Sequence, residues 1–262
     1  MKTPDVKKKK DEKKYGRRDI IKLAGLGAAA VTAAAITEKV FAEEPEASTT
    51  RWAMVIDLRK CYGCHSCSAA CKSGNNVQIG NFRSWVVQVE KGQYPLAERD
   101  FLPRLCNQCE NPACVSVCPT TATYKRPDGI VEIDKSICIG CRYCVNACPF
   151  GMRSFGWRRG YDKGKEDYPA RRYGVADKCD FCFHRLENGM VPSCVNTCPA
   201  KARIIGNIKD KNSEVYKLIN QNPTQRLLPD LGTDPHVYYI GLDWDTAEKA
   251  IEVGTRQTPT EI

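Results

Sequence analysis

Apolar positions along this chain come in short bursts separated by long polar loops. Thr50 to Leu58 (TRWAMVIDL) alternates and is rich in apolar residues, which predicts a strand. Thr123 to Asp134 (TYKRPDGIVEID) predicts a hairpin turning at Pro127-Asp128-Gly129. Ala202 to Ile208 and His236 to Leu242 predict further strands, and Ser213 to Asn220 a short helix with Ser213 as its cap. Leu23 to Ile36 differs: it is apolar apart from Thr32 and shows no polar face, which excludes an amphipathic helix. At about 14 residues it is too short to anchor in a bilayer, and no stretch reaches the roughly 20 apolar residues of a span, so a multi-span membrane protein is excluded.

The net charge changes meaning once it is located. The 262 residues hold 40 Lys+Arg and 31 Asp+Glu. Residues 1–42 carry 11 of the basic and 5 of the acidic side chains, leaving 29 and 26 for the remainder. The basic surplus is therefore mostly in the opening segment and does not mark a nucleic-acid-binding surface. That segment has a targeting layout: Lys7 to Lys10, Lys13 and Lys14, then the apolar run, then Val40-Phe41-Ala42 before Glu43. Arg17-Arg18 with Lys22 resembles a twin-arginine export signal, with Gly16 where Ser or Thr is usual and Ile20 in place of Phe. The expectation is a twin-arginine signal over 1–42 and a periplasmic mature chain. That route carries folded proteins, which suits a cofactor inserted in the reducing cytoplasm.

Cysteine usage decides the chemistry. The sixteen cysteines form four groups: Cys61, Cys64, Cys67, Cys71; Cys106, Cys109, Cys114, Cys118; Cys138, Cys141, Cys144, Cys148; and Cys179, Cys182, Cys194, Cys198. Groups one and three have the C-x2-C-x2-C-x3-C spacing, group two widens the middle gap to four residues and group four to eleven. Pro119, Pro149 and Pro199 follow the last cysteine of three groups, whereas Lys72 follows that of group one. This is the bacterial ferredoxin run, in which thiolates hold [4Fe–4S] cubanes. A loop stepping three residues at a time presents three sulfurs to one cubane, and the fourth cysteine, on a segment leading away, serves another. Gly63 and Gly140, beside ligands, let backbone N–H groups approach the sulfides. Disulfides explain four variants of one spacing poorly. Structural zinc accounts for paired Cys-x2-Cys but not for the third cysteine or the Cys-Pro.

AMVIDLRKCYGCHSC, LPRLCNQCENPACVSVCP, DGIVEIDKSICIGCRYCVNACPFG, ADKCDFCFHRLENGMVPSCVNTCP and HVYYIGLD together resemble the four-cluster iron–sulfur subunit of molybdopterin oxidoreductases, above all those of tetrathionate, polysulfide and respiratory arsenate reductases. The resemblance covers roughly residues 51–243. It departs in the longer basic-aromatic stretch Trp157 to Tyr173 and in the tail after Asp243. It implies an α+β fold of two nested ferredoxin-like units: 50–99 with 178–243 as the first, and an inserted 100–177 as the second, followed by a 244–262 tail. It also implies four iron-binding ligand sets: Cys61, Cys64, Cys67 and Cys198 for cluster 1; Cys71, Cys179, Cys182 and Cys194 for cluster 2; Cys106, Cys109, Cys114 and Cys148 for cluster 3; Cys118, Cys138, Cys141 and Cys144 for cluster 4.

Four clusters in one small body make a one-electron relay. No catalytic constellation accompanies them: only His65, His184 and His236 are present, none in a nucleophile or general-base motif, and none is needed as a ligand. The resemblance implies a non-catalytic electron-transfer subunit that links a membrane quinol-oxidising subunit to a molybdopterin catalytic subunit. Membrane association would come from a partner. A nitrite- or sulfite-linked relay and a stand-alone periplasmic carrier are the alternatives. Arg158, Arg159, Lys163, Lys165, Arg171 and Arg172 lie among Trp157, Tyr161, Tyr168 and Tyr173, but Asp162, Glu166 and Asp167 dilute them, which favours a solvated loop over a nucleic-acid site.

Overall fold

The computed structural model describes residues 48–78, 80–156 and 174–249, all within the unit Ser48–Ile262. The expected export signal over 1–42, the basic-aromatic stretch 157–173 and the chain from 250 onward lie outside the described residues.

The strands in chain order are β1 (Trp52–Asp57), β2 (Ser84–Lys91), β3 (Glu98–Leu105), β4 (Thr123–Lys125), β5 (Val131–Ile133), β6 (Arg153–Phe155), β7 (Ala176–Lys178), β8 (Arg203–Asn207), β9 (Thr224–Gln225) and β10 (Val237–Ile240). The helices are α1 (Ser66–Gly74), α2 (Ala113–Ser116), α3 (Tyr143–Asn146), α4 (Phe183–Leu186), α5 (Ser193–Asn196) and α6 (Glu214–Gln221). Mixed short strands and helices carry the cysteine loops, as the sequence predicts.

The first eight strands follow one rule: each cysteine group is entered by one strand and left by the next. They pair antiparallel as β2 with β3, β4 with β5, β6 with β7, and the first with the last, β1 with β8. The four groups are thereby joined in a ring of strand pairs, and Asp57 N–H donating to the Ala202 carbonyl at 2.8 Å brings the end of β1 to the exit of group four.

β1 is the centre of the largest sheet, ordered β8-β1-β10-β9, and pairs in parallel with β10. Its run is apolar on both faces because both are covered. Ala53 and Val55 pack with Val215 of α6 and Ile240, while Met54 and Ile56 join the main core with Leu102, Leu105, Phe150 and Tyr239. α6 begins where predicted, the Ser213 hydroxyl accepting from Tyr216 N–H at 3.2 Å. The order continues past 243: residues 244–249 are helical, Thr246 and Ala247 are buried, and the Thr246 hydroxyl donates to Asp100 at 3.0 Å. Among the described residues no helix is long and apolar enough to cross a membrane.

Candidate metal-cluster sites

The third cysteine of every group (Cys67, Cys114, Cys144, Cys194) is the second residue of a helix, and the fourth follows four positions later. Proline after Cys118, Cys148 and Cys198 cannot continue a helix, so α2, α3 and α5 stop after four residues. Lys72 imposes no such stop, and α1 runs nine residues with Cys71 inside it. The chain enters α1, α3 and α4 through left-handed residues, His65, Arg142 and Cys182. Gly63 and Gly140 are also left-handed, at φ +75° and +71°, and a Cβ there would lie 2.2 Å from the Phe101 ring and 2.1 Å from the Gly174 carbonyl oxygen. Close approach therefore requires glycine at both.

Packing joins the groups in a definite way. α1 packs against α5, and α2 against α3. Beside the first pair lies a cavity lined by Cys61, Cys64, Cys67 and Cys198, with Arg203 in its wall. Beside the second pair an equivalent cavity is lined by Cys106, Cys109, Cys114 and Cys148, with Arg153 in its wall. In each, three sulfurs come from one group and the fourth from another. Cys71, Cys182 and Cys194 surround Cys179 closely enough to oppose its ionisation. Cys138 and Cys144 meet beside Ile133 and Ala176, Cys118 accepts from Thr123 N–H at 3.4 Å, and Cys141 is exposed.

Burial pushes the thiols of Cys61, Cys71, Cys114, Cys148 and Cys179 up, and that of Cys109 to about 12. Neighbouring sulfurs add to the effect in each. Cys64 moves down, chiefly through its hydrogen bond with the Ser66 side chain. Ionising these buried sulfurs calls for a cation beside them, as metal binding supplies.

None of the sixteen is in a disulfide. Among the described residues no three Cys, His, Asp or Glu side chains converge tightly enough to hold a single metal ion. Three sulfurs of one group and a fourth of another facing a common cavity suit the [4Fe–4S] core of the ferredoxin spacing. The cysteine quartets therefore fit [4Fe–4S] centres. His65 is the left-handed residue before α1 and borders the first cavity, His184 stacks edge-on with Phe183, and His236 lies by Glu110.

Three features escaped sequence reasoning: the buried Arg153 and Arg203, and Asn75, whose amide lies 3.4 Å from Cys182 Sγ. The arginines each stand five residues after the last cysteine of their group, a spacing that could have revealed them.

Fold and sites define a multi-cluster protein of the ferredoxin class. A family model for a 4Fe-4S dicluster domain matches residues 97–208. The iron-sulfur subunit of a putative dimethyl sulfoxide reductase of Halobacterium salinarum is 45% identical over 207 residues, covering 73% of this chain and 79% of that one. A tetrathionate reductase subunit of Salmonella typhimurium is 40% identical over 235 residues, 87% and 88% of the two chains. An iron-sulfur subunit of the Hdr-like menaquinol oxidoreductase of Archaeoglobus fulgidus is 38% identical over 263 residues, 86% of this chain and 98% of that one. The chain belongs to the family of iron–sulfur subunits of reductase complexes, and its work is electron transfer through [4Fe–4S] clusters rather than catalysis.

Proposed function

We propose that the chain carries four [4Fe–4S] clusters in the ligand sets Cys61/Cys64/Cys67/Cys198, Cys71/Cys179/Cys182/Cys194, Cys106/Cys109/Cys114/Cys148 and Cys118/Cys138/Cys141/Cys144. In this reading groups one and four form one ferredoxin-like unit, and groups two and three a second unit inserted within it. The observation that carries it is the pair of cavities, each lined by three cysteines of one group and the fourth of its partner group. The packing of α1 on α5 and of α2 on α3 supports the same nesting.

Each bound cluster supplies one-electron transfer with little rearrangement. The protein's part is to hold, shield and tune. Cysteine loops fix the sulfurs, and N–H groups aimed at sulfur, such as Ala202 N to Cys198 Sγ at 3.3 Å and Thr123 N to Cys118 Sγ at 3.4 Å, stabilise added negative charge.

The chain would be exported by the twin-arginine route and act in the periplasm, linking a membrane quinol-oxidising subunit to a molybdopterin catalytic subunit. Arg17-Arg18 ahead of the apolar run supports export. The names of two relatives, a tetrathionate reductase and a menaquinol oxidoreductase, support the two ends of the route.

Metal analysis with low-temperature EPR of the reduced, anaerobically purified protein tests the cluster content, with about sixteen iron atoms per chain expected. Replacing Cys198 tests the sets: Cys198→Ser should damage the centre built by Cys61, Cys64 and Cys67. Damage confined to the centre of Cys179 and Cys182 would refute the pairing. Recovery with a large molybdenum-containing chain supports the complex, and a monomeric holoprotein the stand-alone carrier.

A further inference from the structure

We propose that Arg203 and Arg153 are bridging cations, one between the two clusters of each unit, that raise the potentials of both neighbours. The inference rests on the ligand sets proposed above and adds two residues to them.

Three observations converge. Both side chains are almost fully buried, at 2% and 5% exposure, and among the described residues neither makes an ion pair. Both Nη atoms of Arg203 and Nη2 of Arg153 meet no oxygen or nitrogen acceptor, and the groups that answer their charge are sulfurs, Cys194 for Arg203 and Cys114 for Arg153. Each guanidinium lies in the wall of a cysteine-lined cavity. A buried guanidinium with no carboxylate partner is costly unless the sulfurs beside it carry negative charge, as cluster ligands do.

The sulfurs around each arginine come from two different clusters. The helices carrying Cys194 and Cys144, α5 and α3, pack on β8 and β6, the strands that begin with Arg203 and Arg153. Arg203 feels Cys194 and Cys67, which belong to clusters 2 and 1. Arg153 feels Cys114, Cys144 and Cys106, of clusters 3, 4 and 3. The two positions are equivalent: each is five residues beyond a Cys-Pro cysteine and is the first residue of the strand leaving the group, β8 or β6. A thiolate-ligated cluster is net anionic and becomes more so on reduction, so a fixed buried cation favours the reduced form. A cation shared by two clusters favours reduction at both. Arg153 also donates from Nη1 to the Thr123 hydroxyl at 3.2 Å, which holds it in place.

The test is an EPR-monitored redox titration of the iron-loaded chain and its variants. Arg203→Gln should lower the midpoints of clusters 1 and 2, with at least a tenfold loss in the reduction equilibrium constant of one of them, about 59 mV for a one-electron couple. Clusters 3 and 4 should stay in place. Arg153→Gln should do the reverse, and Arg203→Lys and Arg153→Lys, which keep the charge, should remain near wild type. Full iron with unmoved midpoints in the Gln variants, or equal shifts at all four clusters, overturns the proposal. Where a Gln variant does not load, its Lys variant decides: unmoved midpoints support a charge effect, and shifted ones overturn it. Wild-type iron content and cluster count are measured in the same experiment, so failure of the four-cluster reading is seen separately.

Discussion

Asn75 and Cys182 meet across 107 residues of sequence, the Asn75 Nδ2 lying 3.4 Å from the Cys182 Sγ. The amide's orientation is fixed from its other side, because Arg83 Nη1 donates to Asn75 Oδ1 at 3.3 Å and a guanidinium cannot accept. The NH2 group thereby faces sulfur, and the Cys71 Sγ is also near, at 3.7 Å. Donors aimed at ligand sulfurs withdraw charge and favour reduction. Asn75→Leu should therefore lower the midpoint of the cluster assigned to Cys71 and Cys182, leave the other three, and cost about 1 kcal/mol per lost hydrogen bond. EPR-monitored titration and thermal melts read both effects; equal midpoints in variant and wild type would contradict the tuning role.

Arg83 is itself the hub of a buried ion cluster. Its Nη2 and Nε donate to the two oxygens of Asp177 at 2.7 and 2.9 Å, and Nη1 to Asp180 at 3.0 Å. Burial opposes the guanidinium's charge, but Asp180 and Asp177 more than offset it, holding the group well above its ordinary range. Removing the cation takes the main partner from two shielded carboxylates next to group four, with Lys135, 3.5 Å from Asp177, compensating only in part. Arg83→Met should cost about 3–5 kcal/mol, and Arg83→Lys less, since an ammonium keeps the charge but cannot fork onto Asp177. Denaturant unfolding of the two variants at equal iron content gives the comparison; a Met variant as stable as wild type would remove Arg83 from this role.

The cysteine loops were legible in the sequence because ligand spacing is local: the steps from Cys61 to Cys71 and from Cys138 to Cys148 describe a wrapping loop whatever surrounds them. β1, β8, β10 and α6 were legible for similar reasons, the last through Ser213 at its cap. The long β2–β3 hairpin was not. Its second strand reads ERDFLPRL, charged at one end and carrying Pro103, and its partnership with SWVVQVEK depends on a register that sets Pro103 opposite Val86. Arg153 and Arg203 were hidden for a different reason. Lone arginines ordinarily read as surface residues, and only the cavities, assembled from groups far apart in sequence, show what charge they answer.

Gly140 and Gly189 offer a matched comparison. Both are left-handed, at φ +71° and +69°, but a Cβ at Gly140 would meet the Gly174 carbonyl at 2.1 Å, whereas nothing lies within 4 Å of one at Gly189. Gly189→Ala should cost only the backbone penalty, about 1 kcal/mol, and keep full iron. Gly140→Ala adds a clash with backbone that cannot rotate aside, so the loop holding Cys138 and Cys141 must shift. Iron should fall from about sixteen to about twelve atoms per chain, the loss of one cubane. Iron and acid-labile sulfide assays on the two variants decide; equal loading would show that the loop tolerates the displacement.

His236 gives the fold a pH dependence separate from the clusters. Burial, then the nearby Arg51, push its imidazole down to about 4, with Lys125 acting in the same direction. Glu110, 3.4 Å from Nε2, and the Asp234 carbonyl only partly oppose them, and Tyr238 stacks at a tilt alongside. The unfolded chain takes up this proton near pH 6.5, while the folded chain resists until about pH 4. Between these values the unfolded state binds more protons, so stability is full above about 6.5 and is lost as pH falls towards 4. Allowing for partial solvent screening, the loss amounts to about 1–2 kcal/mol. His236→Gln cannot titrate, so its melting temperature should fall less than that of wild type between about pH 6.5 and about pH 4.5, where clusters of both proteins face the same acid. Identical slopes at equal iron content would mean that the imidazole is already solvated in the folded chain.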